Sequence, residues 1–270
     1  MNRIIHMTDK TIVNMDRNSS KGNQLKWFEN DKWYKADYLG YESLSEYLVS
    51  RLLEKTNTPG VVRYTPAMLS FEGKSYLGCV SPNFLREGEE LISLEKLFRK
   101  YRNISLSKKI AEMEDVEERI GYVVEEVQSI TGLLDFGKYL CRLLEIDAFF
   151  LNEDRHMNNI ALRYRAGNGF RECPVFDNGA ALLSDVKILY PLDKDIEECM
   201  KEIEAKPFSR DFDEQMDAAE ELYGQQLRLH FTKKDVTDAV SEVSGYYTDD
   251  VLARVEEVIF QQMRKYQYLW

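Results

Sequence analysis

Residues 152–179 constrain this chain more than any other stretch. They open with N-E-D-R-H-M-N-N at 152–159 and close with F-D-N-G at 176–179. Between them, Ile160 to Val175 reads as a β-hairpin: I-A-L-R-Y, a turn A-G-N-G, then F-R-E-C-P-V. Antiparallel pairing over that whole span would bring its open ends to about 5 Å of each other. The Asn159 amide would then stand beside the Asp177 carboxylate, with Asp154 one short loop away. Oxygen donors in that arrangement suit Mg²⁺, which usually shares its shell with phosphates.

The rest of the chain changes character along its length. Residues 1–80 are mixed, with strand-like segments at Asn23–Phe28 and Lys32–Tyr38 around the turn E-N-D. The next segment puts Leu44, Leu48, Leu52 and Leu53 on one helical face, and Thr58-Pro59-Gly60 stops it. Val61–Leu69 and Lys74–Val80 read as two further strands. From Ser93 onward the pattern is mainly helical apart from the hairpin. The highly charged region 99–131 is expected to hold a solvated helix or an insertion. A last helix at about 249–266 carries Val251, Leu252, Val255, Val258, Ile259 and Met263 at core spacing. The expected class is α+β: a small β-rich lobe over 1–85, then a larger mainly helical lobe over 86–270. Ligands favour the cleft between two such lobes.

Charge and composition narrow the function. The net charge of −11 argues against nucleic-acid binding, which needs a basic surface. No apolar run approaches the roughly 20 residues that span a bilayer, and the N-terminus lacks a secretory core, so no membrane partner and a cytoplasmic location are expected, with unconventional secretion left open. Cys79, Cys141, Cys173 and Cys199 are widely spaced and read as buried reduced thiols. An acidic chain that binds a nucleotide needs local cations. Lys35, in the strand K-W-Y-K-A-D-Y, is the candidate. Glu42 or Glu46 from the following helix could pair with it, as a lysine–glutamate pair positions nucleotide phosphates in protein kinases. Upstream, D-R-N-S-S-K-G-N could turn over a phosphate, with Ser19 and Ser20 as donors.

Asp154 and Asn159 have the separation of the base and the metal-binding asparagine in the kinase loop H-R-D-x-x-x-x-N. Here the histidine follows the aspartate. The pattern D-x-x-x-x-N-x-D-R-H-x-x-N, at Asp147, Asn152, Asp154, Arg155, His156 and Asn159, followed by P-V-F-D-N-G, resembles the phosphatidylinositol-kinase-like superfamily. Within it, the chain is similar to the bacterial HipA/CtkA-type serine/threonine kinases. Asn178-Gly179 after Asp177 departs from the Phe-Gly of phosphoinositide kinases and favours the protein-kinase branch.

The resemblance implies a two-lobed protein-kinase-like fold and ATP and Mg²⁺ as cofactors. It implies a protein substrate with a serine or threonine hydroxyl, and an antitoxin or regulatory partner. Asp154 would take or orient the hydroxyl proton, Asn159 and Asp177 would hold Mg²⁺, and Lys35 would contact the α/β-phosphates. Arg155 would neutralise developing charge or anchor the loop; His156 would hold the loop or share in the chemistry. Asp147 and Asn152 would be structural. The segment 78–85, with Val80, would be the hinge whose backbone binds adenine, and Ser19 or Ser20 would be modified by the enzyme itself. Two other readings stand beside this one: a metal-dependent phosphohydrolase using Asp154, His156 and Asp177, and a silent nucleotide-binding protein with a kinase fold.

Overall fold

The computed structural model describes residues 4–9 and 24–270. Five strands form the first sheet: β1 (Ile4–His6), β2 (Lys26–Glu29), β3 (Lys32–Ala36), β4 (Thr65–Phe71) and β5 (Lys74–Pro82), in the order β1-β4-β5-β3-β2. β2 and β3 form a hairpin whose turn residues, Asn30 and Asp31, both have positive φ (52° and 59°). That is the turn chemistry a two-residue hairpin favours. It fixes the register, so Lys26 stands directly opposite Lys35. Gly78 lies in β5 where an added Cβ would sit 2.4 Å from the Lys35 carbonyl oxygen, so only glycine lets the strands close there.

The helix after the hairpin, α1 (Glu42–Leu53), is buried almost all round. Leu44, Leu48, Leu52 and Leu53 are all inaccessible, each worth about 1.5–3 kcal/mol of burial. They belong to the main core together with residues of the C-terminal helices, whereas Trp27, Tyr34, Ala36, Leu69 and Phe71 form a separate cluster on the sheet. The helix of the small lobe is thus a wedge into the large one.

A second sheet, β6-β7-β8, comprises β6 (Glu89–Ser93), β7 (Ala161–Arg165) and β8 (Gly169–Glu172). The helical lobe contains α2 (Leu94–Arg102), α3 (Leu106–Ala111), α4 (Val116–Thr131), α5 (Phe136–Phe150), α6 (Ile196–Glu202), α7 (Phe212–Tyr223), α8 (Lys233–Ser241) and α9 (Asp249–Lys265). No helix among the described residues is long and apolar enough to cross a membrane.

Several expectations need correction. The hairpin ladder is shorter than 160–175: its last pair is Leu162 with Glu172. Pro174 has no N–H to continue it, and Val175 pairs instead with Gly60 and Val62. Asn159 and Asp177 are therefore not held together by that ladder. The strand expected at 61–69 begins at Thr65, because Val61 and Val62 are taken by Val175. β6 was not expected; it pairs with β7 and turns the hairpin into a sheet. The charged region 99–131 is not a fully solvated helix: α4 buries Ile120, Val123, Val124 and Val127 on one face.

Candidate functional site

The loop after α5 is anchored first and exposed second. Leu151 caps α5 in the left-handed region, and Asn152 donates its N–H to the Asp147 carbonyl at 2.9 Å. The Asp147 carboxylate accepts from Arg155 Nε (2.8 Å) and Nη2 (2.9 Å) and from Asn152 Nδ2 (2.9 Å). Burial raises the Asp147 carboxyl's pKa, and the bidentate guanidinium opposes that shift. Arg155 goes on to donate to the Phe176 carbonyl at 3.0 Å and to Asn178 Oδ1 at 2.7 Å. It ties the loop to the segment carrying Asp177 and has no face left for a ligand.

Asp154 stands on this anchored loop. Its carboxylate accepts from Lys206 Nζ at 3.3 Å, and His156 Nε2 lies 3.9 Å away, beyond a hydrogen bond. Both His156 ring nitrogens are buried without a hydrogen-bond partner, so the loop is not held through them. Asn159 donates its amide nitrogen to the Asp154 carbonyl at 2.9 Å, which leaves its amide oxygen as the end suited to a cation.

The other half of the site centres on Lys35. Its ammonium is ion-paired with Glu46 Oε1 and donates to Asp177 Oδ1 at 2.7 Å. Glu46 Oε2 accepts the Asn178 N–H at 2.8 Å. The α1 glutamate therefore joins the strand lysine to the loop of the large lobe. Glu42 does not take that part. It accepts the N–H groups of Tyr38, Leu39 and Gly40 at 3.2, 2.6 and 3.1 Å, holding the turn into α1.

Asp177 has a φ of 60°, a strain of order 1–3 kcal/mol that clusters at functional sites. Burial would raise its pKa, but the charges of Lys35 and Lys26 prevail and hold it well below the usual carboxylate range. Lys35 is raised well above the usual range, burial being outweighed by Asp177 and Glu46. Lys26 is lowered by burial, which Asp177 opposes and Lys35 reinforces.

Beside these charges lies an apolar patch of Val62, Tyr64 and Cys79, packed by Phe84 and Phe176 whose rings are 5.3 Å apart. Val80 is not part of it. Its side chain packs with the sheet cluster on the opposite face, and its backbone lies in a ladder with Tyr34 and Thr65. From Ser81 on, β5 pairs with β3 alone, so its open edge begins inside the expected hinge segment 78–85, one residue after Val80. Ser19 and Ser20 lie outside the described residues.

Three contributors escape a linear reading. Lys26 could have been found, because a two-residue turn at Asn30-Asp31 puts it opposite Lys35. Tyr64, whose hydroxyl accepts the Asp177 N–H at 3.4 Å, and Lys206 come from distant segments without a local signal. The donor set fits Mg²⁺. Asp177 and Asn159 offer hard oxygens, and the Lys35 ammonium occupies a cation position on Asp177. Among the described residues no three His, Cys, Asp or Glu side chains gather to hold a metal by themselves, so phosphate oxygens would have to complete the shell.

No family model and no curated protein matches the chain. Solved structures do. The Helicobacter pylori proinflammatory kinase CtkA aligns at a TM-score of 0.62 and 14% identity over 99% of this chain and 96% of that one. HipA of Shewanella oneidensis MR-1, solved with HipB and its operator DNA, aligns at a TM-score of 0.54 and 13% identity over 97% of this chain and 67% of that one. The chain thus has the two-lobed kinase-like fold of the HipA/CtkA structures.

Proposed function

We propose that this chain is a Mg²⁺/ATP-dependent serine/threonine protein kinase, with residues 1–85 as the nucleotide lobe and 86–270 as the catalytic lobe. The observation that carries this reading is Lys35 held between Glu46 and Asp177. A lysine fixed by a helix glutamate and aimed at a metal-type aspartate is what phosphoryl transfer requires of the small lobe.

Lys35, with Lys26 opposite it, meets the α/β-phosphates, and the adenine lies against Tyr64, Phe84 and Phe176. Asn159 and Asp177 would hold Mg²⁺, which would supply charge neutralisation of the phosphates. Asp154 accepts the proton of a serine or threonine hydroxyl. Lys206, paired with Asp154 at 3.3 Å, would balance charge on the transferring group. Arg155 positions the loop, and His156 lines the site. Positioning and charge account for most of such catalysis, so these few side chains suffice.

The dinuclear hydrolase reading is weaker, because such sites gather several histidines and carboxylates and His156 is the one histidine of this site. The resemblance further implies autophosphorylation at Ser19 or Ser20, and the HipA likeness supports a regulatory protein partner in the cytoplasm. The −11 charge leaves DNA contact to such a partner.

The test is transfer of labelled phosphate from ATP to the protein itself or to a generic protein substrate. Asp154→Ala and Asp177→Ala should each abolish transfer while the fold persists. Phosphate release to water that survives Lys35→Ala would favour the hydrolase, and ATP binding without transfer would favour a silent nucleotide-binding protein. Peptide mass spectrometry after incubation with ATP should find phosphate on Ser19 or Ser20; unmodified peptides from an active enzyme would remove that part.

A further inference from the structure

A protein with a net charge of −11 gathers Arg86, Arg142, Arg163, Arg165 and Arg171 around its smaller sheet. Arg163 and Arg171 stand directly opposite each other across β7 and β8, where like charges destabilise a sheet. The local carboxylates offset them only in part, and Arg163 Nε donates to the Glu172 carbonyl at 3.0 Å. Glu89 approaches Arg163 only to 3.8 Å. Burial raises the pKa of Glu172, and the Arg142 charge opposes this. Arg142 Nε is buried with no hydrogen-bond partner, and leaving such a group unsatisfied costs about 1–3 kcal/mol.

Three of them, Arg142, Arg163 and Arg171, line a groove of about 500 Å³, whose other walls include Pro59, Leu143, Pro174 and Val175. The volume is that of a ligand site. The groove meets the edge strand β8 at Arg171 and Glu172, where the outer side of the sheet is unpaired; beyond it Pro174 has no N–H and Val175 is taken by Gly60 and Val62, so that stretch offers only side-chain walls. An extended peptide laid along such an edge is a recurrent mode of recognition, with main-chain bonds for affinity and alternate side chains for specificity.

We propose that this groove binds an extended acidic peptide segment. Carboxylates at alternate positions pair with Arg142 and Arg171, whose forked donors match carboxylate geometry. The residues between them cover the apolar wall. A lone small anion would leave that wall exposed, which favours the peptide. The proposal does not depend on phosphoryl transfer.

The experiment uses the full chain and a short fluorescent peptide alternating glutamate and valine, read by anisotropy at low ionic strength. Saturable binding is expected. Arg142→Gln and Arg171→Gln should each weaken it roughly tenfold, the loss of one charge-assisted contact. Lys234→Gln, on exposed α8, should leave it unchanged. Arg171 is exposed, so its variant carries the test even if Arg142→Gln disturbs folding. Absence of saturable binding overturns the proposal. So does equal weakening by Lys234→Gln, which would mean diffuse charge attraction. Competition by inorganic phosphate beyond that of chloride at equal ionic strength would mark a simple anion pocket and overturn the peptide assignment.

Discussion

Two buried ionic clusters meet at the Phe176–Asn178 segment, and they are built to opposite ends. In the first, Arg155 and Asp147 are 1% and 0% exposed, and Asn152, Asn178 and two carbonyls supply the further partners of both. In the second, Lys35 and Asp177 are 11% and 24% exposed, and Asp177 carries backbone strain. A closed network rigidifies; a partly open one can trade a partner for a ligand. The difference teaches which charges hold the loop and which, in the kinase reading, would meet phosphate and metal.

Breaking the closed cluster should give the largest effect. Arg155→Met strands the Asp147 carboxylate in the core, and removing one partner of a buried pair costs about 3–5 kcal/mol. Chemical denaturation should show that loss in full in the absence of any nucleotide. A variant of wild-type stability would mean that Arg155 is not an anchor, and the contrast with Lys35 would collapse.

Asp37 tests the comparison from a third position. It accepts from the Ser43 N–H (2.6 Å) and the Tyr247 hydroxyl (2.9 Å), and burial with the nearby Glu42 charge pushes its pKa up to about 6. Its folded value exceeds the unfolded one, so the associated stability is full below about pH 4 and is lost as pH rises through 6. The loss is on the order of 3 kcal/mol. Unfolding midpoints measured from pH 4 to 8 should fall in the wild type and stay flatter in Asp37→Asn. Equal slopes would show that Asp37 is ionised throughout, as Asp177 is.

Opening of the second cluster predicts linkage to ligand. Mg²⁺-ATP at about 100 times its Kd should stabilise the wild type by about 2.7 kcal/mol. Asp177→Asn should lose most of that shift, and Arg155→Met, if still folded, should keep it. Thermal denaturation with and without Mg²⁺-ATP reads all three. A full shift in Asp177→Asn would move the metal elsewhere.

The two clusters also differ in how legible they were. Asp154 and Asn159 stood out by their spacing, and Asp147, Asn152 and Arg155 by the family resemblance, all within one helix end and the loop after it. Glu46 could not be separated from Glu42, because a one-turn difference on α1 is settled only where the sheet and the Asn178 N–H meet the helix. The hairpin's length misled for a related reason. Pro174 ends the ladder, but only the tertiary partners Gly60 and Val62 say where the chain goes next. α4 was misread because charge dominates its composition while four apolar residues decide its packing. Lys206 and Tyr64 carry no signal at all until the chain folds. Local geometry was readable; closure of distant segments onto it was not.

Lys26 gives the smallest effect and the sharpest question about the open cluster. It is paired in register with Lys35, and burial lowers its pKa. Two like charges on one strand pair favour neither folding nor each other, so their reward should come from an anion. In the kinase reading that anion is the ATP triphosphate. Lys26→Met should therefore leave stability unchanged or slightly raised, and raise the KM for ATP roughly tenfold, about 1.4 kcal/mol, with kcat close to wild type. Contact made equally in the ground and transition states has that signature. A fall in kcat at unchanged KM would place Lys26 on the transferring phosphoryl group instead. No change in either would leave Lys35 as the sole phosphate cation of the sheet, and the excess charge on β2 would then serve only to keep Asp177 ionised.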